Sequence, residues 1–525
     1  MLSIGSVLLR ARVPSAFLRR ATSSVAVPVI RVPRRSQLLA EKRSRESNAG
    51  PVVTPRAGKL LISARRRELN QPAGETCGQW VYPALVSKGW KHRLSRGDYF
   101  TIERQNEQCP GPNAQCTFQS MALDKEVIAA LSLLGIKYPT WVQTQAIPVM
   151  MSGKNILCAA ETGSGKTLGY LLPIIQQLLT HKTTSESQDP CNLILVPSRE
   201  LANQVSSVAT NLCAQLGLTV STVGGGRGLG AVDRQLSRGP VDILVATPGA
   251  LWKALNRDTV SLASLRCVVL DEVDTLFDNT FSEVVENILM QTLLASESEV
   301  QGPERKPQLV AVGATFPRGV LQALGKMIDL GKISTIKSKR LHFLMPHVQH
   351  TFMKLKGEDK VPELLNILKK QAVEGQGSGV LVFCNSSSTV NWLGYILDDH
   401  LIKHSRLQGL MPAAMRSGIF QSFQKGDSGV LICTDLASRG LDSLNVKVVV
   451  NYDFPATLQD YLHRAGRVGR LGSERQGSVV SFVTHLWDVE LVQKIETAAR
   501  KRSSLFGMKS AVNDSTIKDP IRKEN

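Results

Sequence analysis

NILCAAETGSGKTLGYLLPIIQQLL, residues 155–179, runs from a short apolar stretch through a glycine turn into a helix-like run, and its reading decides the fold. A strand, a glycine turn and a helix are what phosphate binding needs. Within Ala160, Glu161, Thr162, Gly163, Ser164, Gly165, Lys166 and Thr167, the two glycines let the backbone approach an anion closely. The peptide N–H groups and the helix N-terminus point at it, Lys166 reaches the outer phosphates, and the Thr167 hydroxyl can hold Mg2+. The stretch reads as a nucleoside triphosphate site. The plainer reading is a glycine turn that merely joins two elements.

Working outward, the chain beyond Phe118 alternates short apolar runs with helical stretches, the pattern of strands joined by crossover helices in a parallel sheet. A first block offers NILCAA, NLILV, DILVAT, CVVLDE and QLVAVGAT; a second offers GVLVFCN, GVLICTD, KVVVNYD and SVVSFV. Ligands of open α/β sheets bind beyond the carboxyl ends of the strands, so the chemistry should gather on one rim of each sheet. The run KSKRLHFLMPHVQH, residues 337–350, reads as the connection between two α/β domains, 116–336 and 351–500.

The 525 residues carry a net charge of +19, and residues 1–100 hold 19 Lys or Arg against 5 Asp or Glu. Such a balance suggests a polyanionic partner, with solvation as the bland alternative. No uninterrupted apolar run reaches the roughly 18 residues of a membrane span. The nine cysteines form no CxxC pair, and several lie inside apolar strands, as reduced core thiols do. Residues 1–40 contain no Asp or Glu, while Arg10, Arg12, Arg19, Arg20, Arg31, Arg34 and Arg35 are spaced among Leu, Val, Ser and Ala. That is the composition of a mitochondrial transit peptide and predicts a matrix protein. Arg65, Arg66 and Arg67 are the alternative signal, for a nuclear pool. Residues 41–115 read as a loop-like basic extension whose Trp80, Trp90 and Phe100 either stack on bases or pack on the first domain; residues 501–525 read as a basic tail.

Two further runs complete the site. CVVLDEVD places Asp271 and Glu272 at the end of an apolar strand, where one acid holds Mg2+ and its neighbour orients or deprotonates the attacking water. HRAGRVGR, residues 463–470, sets glycines between arginines so that several guanidinium groups can face one polyanion. TDLASRGLD, residues 434–442, adds Asp442 as an acid suited to a ribose hydroxyl.

With GIKYPTWVQ, PSREL, TPGA, GAT and VFCN in the same order, these motifs resemble those of the DEAD-box ATP-dependent RNA helicases over about residues 118–490. The resemblance implies two tandem RecA-like domains, the core of helicase superfamily 2, acting as an RNA-stimulated ATPase with ATP and Mg2+ as cofactors. It implies that Gln143, helped by Phe118 and Thr140, reads adenine. Lys166 and Thr167 hold phosphate and Mg2+, Asp271 the metal, and Glu272 the water; Arg467 and Arg470 are arginine fingers, and His463 with Asp274 couples the two halves. RNA is expected on Arg199, Gly225, Thr247, Gly249, Gly409, Arg416, Thr434 and Asp435, mostly through backbone and phosphate. The chain further resembles mitochondrial members that assemble the large mitoribosomal subunit, which implies rRNA and ribosome-assembly proteins as partners of a monomeric core. It departs from the family at Val273 (usually alanine), Gly313 (usually serine), Ala250 (usually arginine), and Gln408 and Ala413 near the RNA path. These departures keep alive an ATP-gated RNA clamp with little unwinding; a DNA translocase is the remoter alternative.

Overall fold

The computed structural model of the chain describes residues 33–34, 37–38, 60–73, 84–105, 116–180, 189–224, 239–278, 281–292, 294, 306–316, 318–373, 379–409, 411–435, 445–469 and 477–505. Three strands come first: β1 (Leu60–Ala64), β2 (Gln71–Pro72) and β3 (Tyr99–Ile102). The first domain follows with β4 (Ile156–Ala159), β5 (Asn192–Leu195), β6 (Val220–Val223), β7 (Ile243–Ala246), β8 (Cys267–Asp271), β9 (Gln308–Gly313) and β10 (Ser334–Lys337). These seven form one sheet in the order β10-β4-β9-β8-β5-β7-β6, and every pairing is parallel. Its central strands are buried at every position, as strands covered by helices on both faces must be. Alternate residues feed two cores. Cys158, Ile194, Val245 and Val269 pack on one face, and Leu157, Leu193, Leu244 and Val268 on the other.

The second domain contains β11 (Gln349–Lys354), β12 (Gly379–Phe383), β13 (His404–Leu407), β14 (Val430–Cys433), β15 (Val446–Asn451) and β16 (Ser478–Val483). They form the parallel run β13-β14-β12-β15-β16-β11, and the sheet then continues antiparallel through β3, β1 and β2 to nine strands.

That continuation corrects the reading of residues 41–115 as a loop-like arm. Where the extension is described, it is part of the second domain. Phe100 of β3 lies opposite Phe352 of β11 and stacks on it at 4.9 Å between centroids. Trp90 is fully buried and donates its indole N–H to Asp98 at 2.8 Å, so neither ring is offered to a base. Several of the charges are also used internally: Arg66 pairs with Asp98 at 3.4 Å, Lys91 with Glu490 at 3.0 Å and Arg96 with Asp359 at 2.6 Å. Trp80 lies outside the described residues.

Glu496 fixes the extension to the long helix Leu486–Lys501. Its carboxylate is fully buried and accepts from Val86 N–H (2.7 Å), Ser87 N–H (3.0 Å) and Ser87 O–H (2.6 Å), the start of the short helix Val86–Lys91. Arg500 neutralises it at 2.9 Å. A buried carboxylate survives only when paired and hydrogen-bonded, and here its partners come from both segments. Past this helix, Leu505 is buried and donates its N–H to the His342 carbonyl. No helix among the described residues is long and apolar enough to cross a membrane.

Removing Glu496 strands Arg500 and two backbone donors. Glu496→Ala should therefore lower unfolding stability by about 3–5 kcal/mol and open residues 60–105 to protease. Chemical denaturation combined with limited proteolysis tests this; a loss below about 1 kcal/mol would mean that the extension is held by its strands alone.

Candidate functional site

Parallel strands bring the motif loops to one rim, and the two domains meet there. A cleft of about 450 Å3 is lined by Gly165, Lys166, Thr167, Asp271 and Glu272 of the first domain and by His463 and Arg467 of the second. Lys166 opens the helix Lys166–Thr180, and the turn before it carries Gly163 and Gly165 at φ +77° and +89°. The ammonium group donates to the carbonyls of Ala160 and Glu161, each at 2.8 Å, which places it at the mouth of the loop.

Asp271 ends β8 with its carboxylate almost wholly buried. One oxygen accepts from Tyr170 O–H and the other from Glu272 N–H, both at 2.9 Å. Burial, reinforced by the charge of Glu272 and opposed by Lys166, raises its pKa to about 6. Such a carboxylate gains from a cation alongside it. Glu272 has a left-handed backbone, φ +53°, and its buried Oε2 has no hydrogen-bond partner among the described residues. An unpartnered carboxylate oxygen in a polar cleft is where an ordered water belongs.

Asp274 joins the halves. Its Oδ2 accepts from Thr315 N–H (3.1 Å) and Thr315 O–H (2.6 Å), and His463 of the opposite domain approaches it at 3.4 Å. Gln459 also donates to it at 3.5 Å. Burial works against this carboxylate, but His463 and Thr315 outweigh burial and hold its pKa below the usual range. Arg467 lines the cleft and is 3% exposed, its Nε donating to the His463 carbonyl at 3.2 Å.

Arg464 behaves differently from the polyanion-facing group that its motif suggests. It is 1% exposed and turned inward. It makes a two-pronged contact with Asp435, both bonds 2.6 Å, and also donates to Asn385 (2.7 Å) and to the Asp453 carbonyl (2.7 Å). The Asp435 carboxylate, read as an RNA contact, is thus engaged in bracing this motif.

The glutamine motif is also a brace. Thr140 and Gln143 form a reciprocal cap on the helix Trp141–Met151. Thr140 O–H donates to the Ser164 carbonyl at 2.9 Å, and Gln143 Nε2 donates to the Gly165 carbonyl at 3.1 Å. The Gln143 amide is 2% exposed behind the phosphate loop, and Phe118 is equally buried in the first core. Leu134 and Ile136, rather than Phe118, line the cleft.

Of the expected RNA positions, Thr247 directly precedes the helix after β7 without a side-chain bond to it, Gly409 follows β13 and Thr434 follows β14, all on strand carboxyl rims; Gly249 lies in the first turn of the helix after Thr247. Arg199 begins the helix after β5 and packs against Gly224. Arg416 crosses to the other domain, lying 3.4 Å from the buried Glu200. Gly225, Asp442 and Arg470 lie outside the described residues. Sequence reasoning missed Tyr170 and Gln459, and it had Thr315 only as the last residue of the GAT run, without its contact to Asp274. Tyr170 carried a signal, since it lies one helical turn from Lys166 and Thr167.

Two of the departures from the family pattern explain each other. A Cβ on Gly313 would lie 2.9 Å from Val273 Cγ1 and 3.2 Å from the Thr315 carbonyl oxygen. The Cγ1 methyl of Val273, absent from alanine, thus fills the space that a side chain at 313 would take.

Residues 140–323 match the model of the DEAD/DEAH box helicase family, and residues 359–472 match that of the helicase conserved C-terminal domain. A mouse protein, "Probable ATP-dependent RNA helicase DDX28", is 56% identical over 508 residues, covering 94% of this chain and 94% of that one. The human protein of the same name is 53% identical over 502 residues, covering 93% of each. Among solved structures, the DEAD-box helicase Mss116 bound to ssRNA and UDP-BeF shares the fold, with a TM-score of 0.66 at 24% identity over 78% of this chain and 83% of that one.

Competition for one space predicts coupled substitutions. Gly313→Ser should destabilise by roughly 1–3 kcal/mol through overpacking, and Val273→Ala by a similar amount through a cavity. The double variant should lose clearly less than the sum, as contacting residues do. Equilibrium unfolding of the four proteins measures the coupling, and simple additivity would show that the two positions do not share the space.

Proposed function

This chain belongs to the DEAD/DEAH box helicase family and is an RNA-dependent ATPase and helicase, and from that premise we propose that it remodels ribosomal RNA in the mitochondrial matrix during assembly of the large ribosomal subunit. The observation that carries the enzymatic part is the composition of the cleft: Lys166, Thr167, Asp271 and Glu272 come from one domain, His463 and Arg467 from the other. Neither half has the full set. Hydrolysis therefore requires closure, and closure brings the two RNA-facing rims into line.

In this reading Lys166 moves from the loop carbonyls to the outer phosphates of ATP. Thr167 and Asp271 suit Mg2+, which commonly takes only one or two protein ligands beside phosphates and water. When bound, Mg2+ supplies charge neutralisation on the phosphate oxygens. Glu272 orients the attacking water through its unpartnered oxygen, and Arg467 neutralises charge that develops on the transferred phosphoryl group. RNA lies along the rims on Arg199, Thr247, Gly249, Gly409, Arg416 and Thr434. Contacts of that kind to sugar and phosphate carry little sequence information.

Support for the cellular role comes from the acid-free, arginine-rich first 40 residues and from the resemblance within the family. The rival nuclear signal has less support, because Arg66 is tied into the fold through the Val86 carbonyl and Asp98.

Two sets of measurements test these parts separately. Lys166→Ala should weaken ATP binding, whereas Glu272→Gln should keep it and block turnover. Arg467→Ala should lower RNA-stimulated hydrolysis by as much as ~10^3-fold, toward the lower end of what arginine fingers contribute. Hydrolysis at wild-type rates by all three variants would remove the assignment of this cleft. Crosslinking of bound RNA in intact cells should enrich large-subunit mitochondrial rRNA; enrichment of other RNA alone would overturn the assembly role and leave the ATPase untouched.

A further inference from the structure

The segment between β10 and β11 does more than span the domains. At its start Ser338 donates its hydroxyl to Glu161 of the phosphate loop at 2.6 Å, while its N–H bonds the Ala159 carbonyl. At its end His347 Nε2 lies 2.6 Å from the carbonyl oxygen of Gly469, two residues beyond Arg467. A carbonyl can only accept, so the ring proton sits on Nε2. One short segment thus touches both loops that build the cleft.

The contact at Gly469 is specific. Its φ of +66° is favoured by glycine, and a Cβ there would lie 2.5 Å from Val348 Cγ2 and 2.6 Å from His347 Nε2. The loop therefore seats directly on the imidazole. His347 Nδ1 is buried with no hydrogen-bond partner among the described residues, so the bond to Gly469 is the ring's one polar anchor there. Arg467 is fixed from the other side by the helix Leu458–Ala465, through its bond to the His463 carbonyl.

We propose that His347 is a positioning residue for ATP hydrolysis, holding the loop that presents Arg467 to the nucleotide. One such hydrogen bond adds only about 0.5–1.5 kcal/mol to stability. A misplacement of about 1 Å at a reacting centre can cost about 10^2 in rate. The effect belongs in kcat rather than in folding. The inference rests on the ATPase reading of the cleft.

The test uses the full chain with saturating RNA. His347→Ala should lower kcat for ATP hydrolysis roughly 10- to 100-fold, with the KM for ATP, nucleotide-free RNA affinity and the thermal midpoint little changed. His347→Gln, whose amide N–H reaches the same carbonyl, should recover most of the rate. The proposal is overturned if His347→Ala keeps kcat within about twofold of wild type, if it raises KM at constant kcat, or if the folded Gln variant is as slow as the Ala variant. Wild type and Glu272→Gln run alongside. A wild type that does not hydrolyse ATP overturns the ATPase reading and this proposal together, whereas active wild type with active His347→Ala overturns this proposal alone.

Discussion

The buried carboxylate of Asp274 is the constraint on which the arrangement of the two domains depends. A carboxylate in that position is costly without partners, and its own domain supplies Thr315 while the other supplies His463 and Gln459. Separating the domains would leave the charge with the donors of Thr315 and the Thr275 N–H. Closure therefore completes the satisfaction of this carboxylate by bringing His463 and Gln459 to it, and the acid that joins the halves is only two residues from the glutamate that faces the cleft.

The helix opposite Asp274 shows how one motif serves two purposes. Gln459 and His463 lie four residues apart on the helix Leu458–Ala465 and face the first domain, and Arg467, in the turn that follows the helix, lines the cleft beside His463. Arg464 falls out of that phase and points into its own domain, where it holds Asn385 and Asp435. Of the two described arginines of this motif, one thus serves the cleft and one the scaffold. The scaffold arginine joins segments after β12, β14 and β15, so it fixes the helix that carries its neighbours.

Much of the fold could be read because the central strands are continuous apolar runs, as strands buried on both faces must be. The strands of the two domains that escaped were β6, β10, β11 and β13, and all four are at the edges of the parallel runs. These strands have mixed burial, so their sequences, VSTV, STIK, QHTFMK and HSRL, lose the apolar signature. β1 and β3 were hidden by a basic setting that resembled solvated chain, although LLISA and YFTI are mostly buried. The sheet they extend ends at the two-residue β2, with Pro72 there as a stop to further pairing. In the site, glycine, lysine and acid motifs announced themselves by residue type. Partners such as Gln459 and Tyr170 are ordinary residues made functional by tertiary contact.

Departures from a family pattern are weighed differently once geometry is known. Taken singly, Gly313 is a lost hydroxyl and Val273 an oversized neighbour. Their distance makes them one exchange of volume between adjacent strands' ends, and close-packed interiors tolerate such exchanges best when total volume is kept. The hydroxyl that disappears would have served Asp274, yet Thr315 donates to that carboxylate through both its N–H and its O–H. The acid therefore keeps three donors within its own domain, the Thr275 N–H being the third, and two across the cleft. What coupling requires is a satisfied carboxylate whose last partners arrive on closure, and that requirement is met here without a hydroxyl at position 313.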